Sequence, residues 1–158
     1  MKKLGEILVE KEWLSSHQVE EGLIVQKATG EFLGRIFVNR GWITEDQLLE
    51  ALSEQFRIPR VRFEDLEIDW SLAGMFAPSL LTEHTCFPVS LDGSQITVAI
   101  ANPLDAWAVS ALEDQARLKG RRIKLVLATL EEIAGALRRH HQIALEKVRK
   151  SLEGGHDQ

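Results

Sequence analysis

The stretch LGEILVEKEWLSSHQVEEGLIVQ at residues 4–26 returns as LGRIFVNRGWITEDQLLEALSEQ at residues 33–55, 29 positions further on and without a gap. The pairs Leu4/Leu33, Gly5/Gly34, Ile7/Ile36, Val9/Val38, Trp13/Trp42, Gln18/Gln47, Glu21/Glu50, Leu23/Leu52 and Gln26/Gln55 are identical. A stacked solenoid needs about three repeats, and here there are two. The repeat therefore predicts a duplicated helical element of pseudo-twofold character.

Helix punctuation is the same in both copies. Ser15 is followed three residues on by Gln18, and Thr44 by Gln47. Each pair is a capping box, in which the hydroxyl accepts from an orphan backbone N–H and the glutamine reaches back. Leu14 and Ile43 stand at staple distance from Val19 and Leu48. Each copy thus reads as a short helix, a tight connection and a longer helix. Val19, Leu23 and Gln26 share one face of the first long helix, as Leu48, Leu52 and Gln55 do in the second. Glutamine is a good helix former near a C-terminus, and Gly30 is a nearby stop signal. Gly5 and Gly34 fall inside the short helices, where glycine costs about 1 kcal/mol relative to alanine. Their presence in both copies implies that another helix or a ligand approaches the backbone closely.

Around the repeat, 158 residues allow one ordinary domain or two small ones. An apolar fraction of 44% with 27% charged residues is globular. A net charge of -5 argues against a nucleic-acid coat, which needs a basic face. The single cysteine, Cys86, rules out an intramolecular disulfide and fits a reducing compartment. Neither a signal-peptide core nor a run of about 18 apolar residues is present, and the expected location is the cytoplasm.

The second half has another texture. Residues 58–63 alternate around Pro59 and predict a short edge or lead-in strand. A helix is expected over residues 71–84, bent or split at Pro78. Strands over 86–91 and 95–100 are joined by Asp92-Gly93-Ser94, a hairpin signal. Asp105 caps a helix over 106–118, which Gly120 stops. A strand follows over 122–127, and Thr129 with Glu132 makes a third capping box for a last helix over 130–152. Cys86, Val98 and Ile100 are expected in the core. The fold class is α+β: a duplicated helical subdomain over residues 1–57, then a small α/β-sandwich-like subdomain with a mixed sheet over 58–158.

The paired LG…Q copies, the IPRVRF segment, the hairpin in VSLDGSQITVAIANPLD and the KLVLATLEEIAGALRRH ending occur in the order and spacing of a known family. The chain resembles the MshE-type amino-terminal domain of type II secretion and type IV pilus assembly ATPases. In the form that binds cyclic di-GMP, the motif opens Arg-Leu-Gly and closes with Gln. Here the copies open Lys3-Leu4-Gly5 and Phe32-Leu33-Gly34 and close at Gln26 and Gln55, with Glu12 in the first where Gly41 stands in the second. The resemblance implies a regulatory ligand, cyclic di-GMP, and no cofactor. It implies as partners a secretion or pilus ATPase or an inner-membrane platform protein, with the membrane met only through those partners.

On that resemblance the ligand residues are Lys3, Leu4, Gly5, Leu8 and Gln26 in the first copy, and Phe32, Leu33, Gly34, Arg35, Phe37 and Gln55 in the second. Leu4 and Leu33 would cover base faces, and the two glycines would admit backbone N–H groups to phosphate or base. Lysine presents a point charge where arginine would present a fork to guanine, and Arg35 is a substitute donor. Asp105 is a candidate acceptor from the guanine edge, with helix capping as its other role.

The remaining candidates point to packing. His140 and His141 diverge by about 100° on a helix and cannot chelate one metal, so no metal site is expected. Trp13 and Trp42 read as packing anchors. Arg138, Arg139, Lys147, Arg149 and Lys150 make the last helix basic, which reads as a solvated face or a partner surface. The sequence has no G-x-x-x-x-G-K-[ST] phosphate loop and no Ser/His/Asp or Cys/His constellation, so no catalytic residue is expected. A nucleotide-sensing module and a protein-docking module are the two leading readings, and an enzyme is the third.

Overall fold

The structure, a computed structural model, describes residues 2–154. The chain divides into two compact units, Met1–Arg60 and Val61–Gln158.

Four helices build the first unit: α1 (Leu4–Glu10), α2 (Ser16–Thr29), α3 (Leu33–Asn39) and α4 (Glu45–Phe56). The starts of α3 and α4 lie 29 residues after those of α1 and α2, so the copies agree in structure as in sequence. Both capping boxes form: Ser15 Oγ accepts from Gln18 N–H at 3.1 Å and Thr44 Oγ1 from Gln47 N–H at 3.1 Å. Each glutamine Oε1 accepts in return from the cap's own N–H at 2.9 Å. The staple residues Leu14 and Ile43 are buried. Helix α1 packs on α4 as α3 packs on α2, the exchange that a twofold relating the copies requires. Leu8, Phe37, Leu48, Leu49 and Leu52 are fully buried in the core of this unit.

The apolar stripe expected along both long helices is realised in only one. Helix α4 buries Leu48, Leu49, Ala51 and Leu52, whereas α2 buries Gly22 alone and leaves Leu23 43% and Ile24 69% exposed. Periodicity marks a face as apolar without saying what covers it.

In the second unit, strands β1 (Cys86–Asp92), β2 (Gln95–Ile100) and β3 (Arg122–Leu127) form a mixed sheet in the order β1-β2-β3. β1 and β2 are an antiparallel hairpin closed at Gly93, whose φ is 61°. β3 lies parallel to β2 after the crossover helix α6 (Ala106–Leu118). The register of β1 slips between Pro88 and Ser90, and the carbonyl of Val89 there accepts from Asp69 N–H. Proline lacks a ladder donor, and an edge strand with a bulge is where it is tolerated. Cys86, Val98 and Ile100 are fully buried, with Phe87, Ile96, Leu112, Leu127 and Ile133.

One expectation needs correction. No strand forms over residues 58–63. Arg60 is an isolated bridge position, Val61 N–H donates to Leu127 O at 2.8 Å, and a 3-10 turn follows at Phe63–Asp65. Pro59 has no donor, so a ladder cannot extend through it. The helix expected over 71–84 is split ahead of Pro78, its first part a 3-10 segment at Trp70–Met75 and its second α5 at Pro78–Glu83. Pro78 sits in the first turn of α5, and Phe76 and Ala77 before it are extended, the conformation favoured ahead of a proline. The last helix, α7 (Leu130–Gly154), starts at its expected cap, with Thr129 Oγ1 accepting from Glu132 N–H at 3.0 Å.

Candidate ligand site of the paired helices

Local geometry repeats down to single hydrogen bonds. Trp13 N–H donates to Leu8 O and Trp42 N–H to Phe37 O, both at 3.0 Å. Between helix and tryptophan, the backbone turns left-handed at Glu12 (φ 60°) and at Gly41 (φ 73°). The glutamate that replaces glycine in the first copy thus leaves the fold unchanged and stores strain in it. A cation two residues upstream covers each indole: Lys11 Nζ lies 5.3 Å from the Trp13 ring and Arg40 Cζ 5.5 Å from the Trp42 ring.

The glycines are held by neighbouring helices. A Cβ on Gly5 would lie 2.7 Å from Val19 Cγ1, and one on Gly34 2.4 Å from Leu48 Cδ1. Gly22 joins the copies, its Cβ position 2.4 Å from Phe37 Cε1. Of the two readings for Gly5 and Gly34, these contacts supply the packing one directly.

The sequence-derived residues fall into three groups. Leu8 and Phe37 are fully buried and Leu4 is 5% exposed, so they shape the helices from within. Lys3 is exposed at the start of α1, and Phe32 and Leu33 are half-buried at the start of α3, where a ligand has access. Arg35 is engaged: its two terminal nitrogens donate to the Glu45 carboxylate at 2.6 and 3.0 Å. A substitute guanine fork from Arg35 would have to leave that bidentate pair.

The closing glutamines differ. Gln26 Nε2 donates to Glu31 O at 3.1 Å, in the loop that follows its helix. Gln55 has its Oε1 buried with no hydrogen-bond partner among the described residues. It lines a cavity of about 590 Å³ together with Lys2, Ile7, Glu54, Phe56 and Arg57. Lys2 pairs with Glu10 at 2.7 Å, a bond that pushes its ammonium pKa upward, and Glu54 pairs with Lys11 at 3.2 Å. Arg57 ends α4 in the left-handed conformation and has no ion pair among the described residues. A buried acceptor left unpaired costs about 1–3 kcal/mol, so a donor-bearing ligand would be welcome there. Lys2 was not legible as a site residue, because only the packing of α1 on α4 brings it to Gln55, and Phe56 and Arg57, which follow Gln55 in the sequence, lie outside the repeated motif.

The first copy has a cavity of another character. It measures about 410 Å³ and is lined by Gly5, Glu6, Val9, Glu10, Ser16, Val19 and Glu20. Three carboxylates on an apolar floor repel phosphate and attract cations.

Asp105 belongs to the second unit, and both of its oxygens are occupied. Oδ1 accepts from Ala108 N–H at 3.0 Å as the cap of α6, and Oδ2 lies 2.6 Å from His84 Nδ1. His84 stacks on Trp107 with ring centroids 4.6 Å apart. Nearby, burial first and the Asp105 charge second push the Cys86 thiol up to about 12. On α7, His140 makes a T-shaped contact with Phe87 while His141 is exposed, and among the described residues no three His, Cys, Asp or Glu side chains gather for a metal. Among those residues no helix is long and apolar enough to cross a membrane.

A duplicated helical unit ahead of a small mixed-sheet layer places the chain among two-unit α+β domains. The chain belongs to the MshEN domain family, whose sequence model matches residues 56–147, more than half of its length. That match covers the mixed-sheet unit, and the repeat lies outside it. The type IV pilus assembly ATPase PilB of Myxococcus xanthus is 27% identical over 139 residues, 88% of this chain and 24% of that protein. PilB of Thermus thermophilus is 33% identical over 111 residues, 70% of this chain and 12% of that protein. The chain thus spans a quarter or less of these relatives. A solved structure of MshE with cdg superposes with a TM-score of 0.78 at 26% identity, covering 89% of this chain and 99% of that one.

Proposed function

We propose that this chain is a regulatory domain of a type IV pilus or type II secretion ATPase system, and that its paired helices bind cyclic di-GMP. The observation that carries the reading is the similarity to MshE with cdg, which extends over nearly all of that chain and includes the repeat. The cavity at the closing glutamine of the second copy supports it chemically. Gln55 offers an unsatisfied acceptor to a guanine N–H, Arg57 offers positive charge to phosphate, and Lys2 adds charge once it leaves Glu10. Phe32, outside that cavity's lining at the start of α3, offers a stacking face. The partner ATPase, or an inner-membrane platform protein, is part of the same proposal.

Calorimetric titration with cyclic di-GMP tests it. Binding should be detectable, and Gln55→Ala should weaken it by about 1 kcal/mol through one lost hydrogen bond. Gln26→Ala should weaken it less, since that amide already serves Glu31. Phe32→Arg or Lys3→Arg should strengthen binding by restoring the fork. Valine at Gly5 or Gly34 is a poor probe, because it collides with Val19 or Leu48 whether or not a ligand is present.

A second reading has its own observation. The acidic rim of the first cavity, Glu6, Glu10 and Glu20, suits a basic segment of a protein partner and not a cyclic dinucleotide. No heat with near-millimolar cyclic di-GMP, on protein shown to be folded, would leave the docking module as the reading to keep.

A further inference from the structure

The turn that joins α6 to β3 reads Arg117-Leu118-Lys119-Gly120-Arg121-Arg122-Ile123-Lys124, five cations in eight residues of a chain whose net charge is -5. We propose that this turn docks directly on an anionic lipid surface, with Leu118 inserted among the lipids and phosphoryl headgroups held by the surrounding cations. The proposal stands apart from the nucleotide reading and differs from the expectation that the membrane is met only through partners.

Three observations converge on it. First, the charges are displayed and mostly uncompensated. Lys119, Arg122 and Lys124 are exposed and have no ion pair among the described residues, while Arg117 holds Asp114 only in an exposed pair at 3.0 Å. Second, Leu118 is 85% exposed, the most exposed large apolar residue of the described chain. A solvated turn gains nothing from a leucine at its tip, whereas a membrane surface rewards its burial. Third, a cavity of about 260 Å³ lies beside the tip, lined by Glu113, Arg117, Arg121, Arg122 and Ile123. Arg121 donates to Gly93 O at 3.3 Å and keeps a buried Nε without a partner, so part of its fork remains unsatisfied. Guanidinium groups around a small notch suit a phosphoryl oxyanion.

The turn is also fixed in shape. Lys119 and Arg121 N–H both donate to Ala116 O, Gly120 N–H donates to Arg117 O, and Gly120 takes a φ of 71°. Arg122 N–H donates to Ser94 O at 2.8 Å. The cations are therefore presented without a large ordering cost on binding. Repulsion from the acidic remainder is screened beyond about 8 Å at physiological salt, so the local patch decides the sign. A single protruding leucine ringed by cations lacks the broad apolar centre that a protein interface uses.

Co-sedimentation of the intact chain with vesicles provides the test. Vesicles of phosphatidylcholine and phosphatidylglycerol in about a 3:1 ratio should bind the protein and pure phosphatidylcholine should not, with binding falling as salt rises. Each lost cation near such a surface should weaken partitioning about fivefold, so Lys119→Glu with Arg122→Glu should reduce it by more than an order of magnitude. Leu118→Ser should weaken it about tenfold and leave the salt dependence unchanged. Lys150→Glu, on the basic face of α7, should have a small effect. Circular dichroism should show all variants folded, since the substituted side chains are exposed. Equal binding to both vesicle types, no binding to either, or a Lys150→Glu effect as large as that of the Lys119→Glu, Arg122→Glu double variant would overturn the proposal. So would tighter binding to polyglutamate than to vesicles, which would move the patch to a protein partner. Calorimetric binding of millimolar inorganic phosphate without vesicle binding would reduce it to a free-anion site and overturn it as well.

Discussion

Glu12 and Gly41 occupy the same left-handed turn in two copies of one motif, so they form an internal experiment on backbone strain. A non-glycine residue in this conformation costs about 1–2 kcal/mol, and Gly41 has open space where a Cβ would go. Glu12→Gly should therefore stabilise the protein by about 1 kcal/mol and Gly41→Ala should destabilise it by a similar amount, both read from urea midpoints. A loss of stability in Glu12→Gly would mean that the glutamate makes a compensating interaction. Cys86 offers a pH test at the same scale. Its thiol is raised from 9.0 to about 12 in the fold, so the unfolded chain loses its proton first. The contribution is fully present below pH 9 and falls progressively as pH rises from 9 towards about 12. Native protein at pH 8 should resist a thiol reagent that modifies the urea-unfolded chain, and equal rates in the two states would refute the burial argument.

At the scale of elements, identical letters meet different surroundings. Leu23 and Leu52 are matched in the repeat, yet Leu23 is 43% exposed and Leu52 is fully buried. Leu52→Ala should cost about 2–5 kcal/mol for the lost transfer and the cavity left behind, while Leu23→Ala should stay within about 0.5 kcal/mol. Similar urea midpoints for the two variants would show that the copies are packed more alike than the structure has them. The same contrast explains what could be read beforehand. Capping boxes at Ser15, Thr44 and Thr129, the Gly93 hairpin and the Pro78 break rest on residues a few positions apart, so local chemistry announces them. The absence of a strand over 58–63 depends on which partner the segment meets, and alternation around Pro59 does not carry that. Of the candidate site, the matched openings and closing glutamines were legible from the repeat. Gln55 and Gln26 nevertheless part company, because only Gln26 finds a backbone carbonyl in the loop that follows its helix.

For the whole molecule, the duplication gives two related scaffolds whose chemistry has diverged. The first copy surrounds an apolar floor with Glu6, Glu10 and Glu20, whereas the end of the second gathers Arg57 and the unpaired amide oxygen of Gln55, with Lys2 from the start of the chain, around a larger cavity. An anionic ligand should therefore favour the Gln55 side, and its binding should appear as a stability gain of the intact chain. A ligand that binds only the native state adds about 2.7 kcal/mol at a hundredfold excess over its Kd. For a chain of this length about 2–4 °C of melting temperature accompanies each kcal/mol, so saturating cyclic di-GMP should raise Tm by roughly 5–10 °C. Arg57→Glu lies on an exposed helix end and should lower the shift at fixed ligand concentration without lowering the Tm of the free protein. Glu20→Lys, at the acidic cavity of the first copy, should leave the shift unchanged. A shift that responds to Glu20 and ignores Arg57 would move the ligand to the first copy, and the assignment of Gln55 would then be wrong.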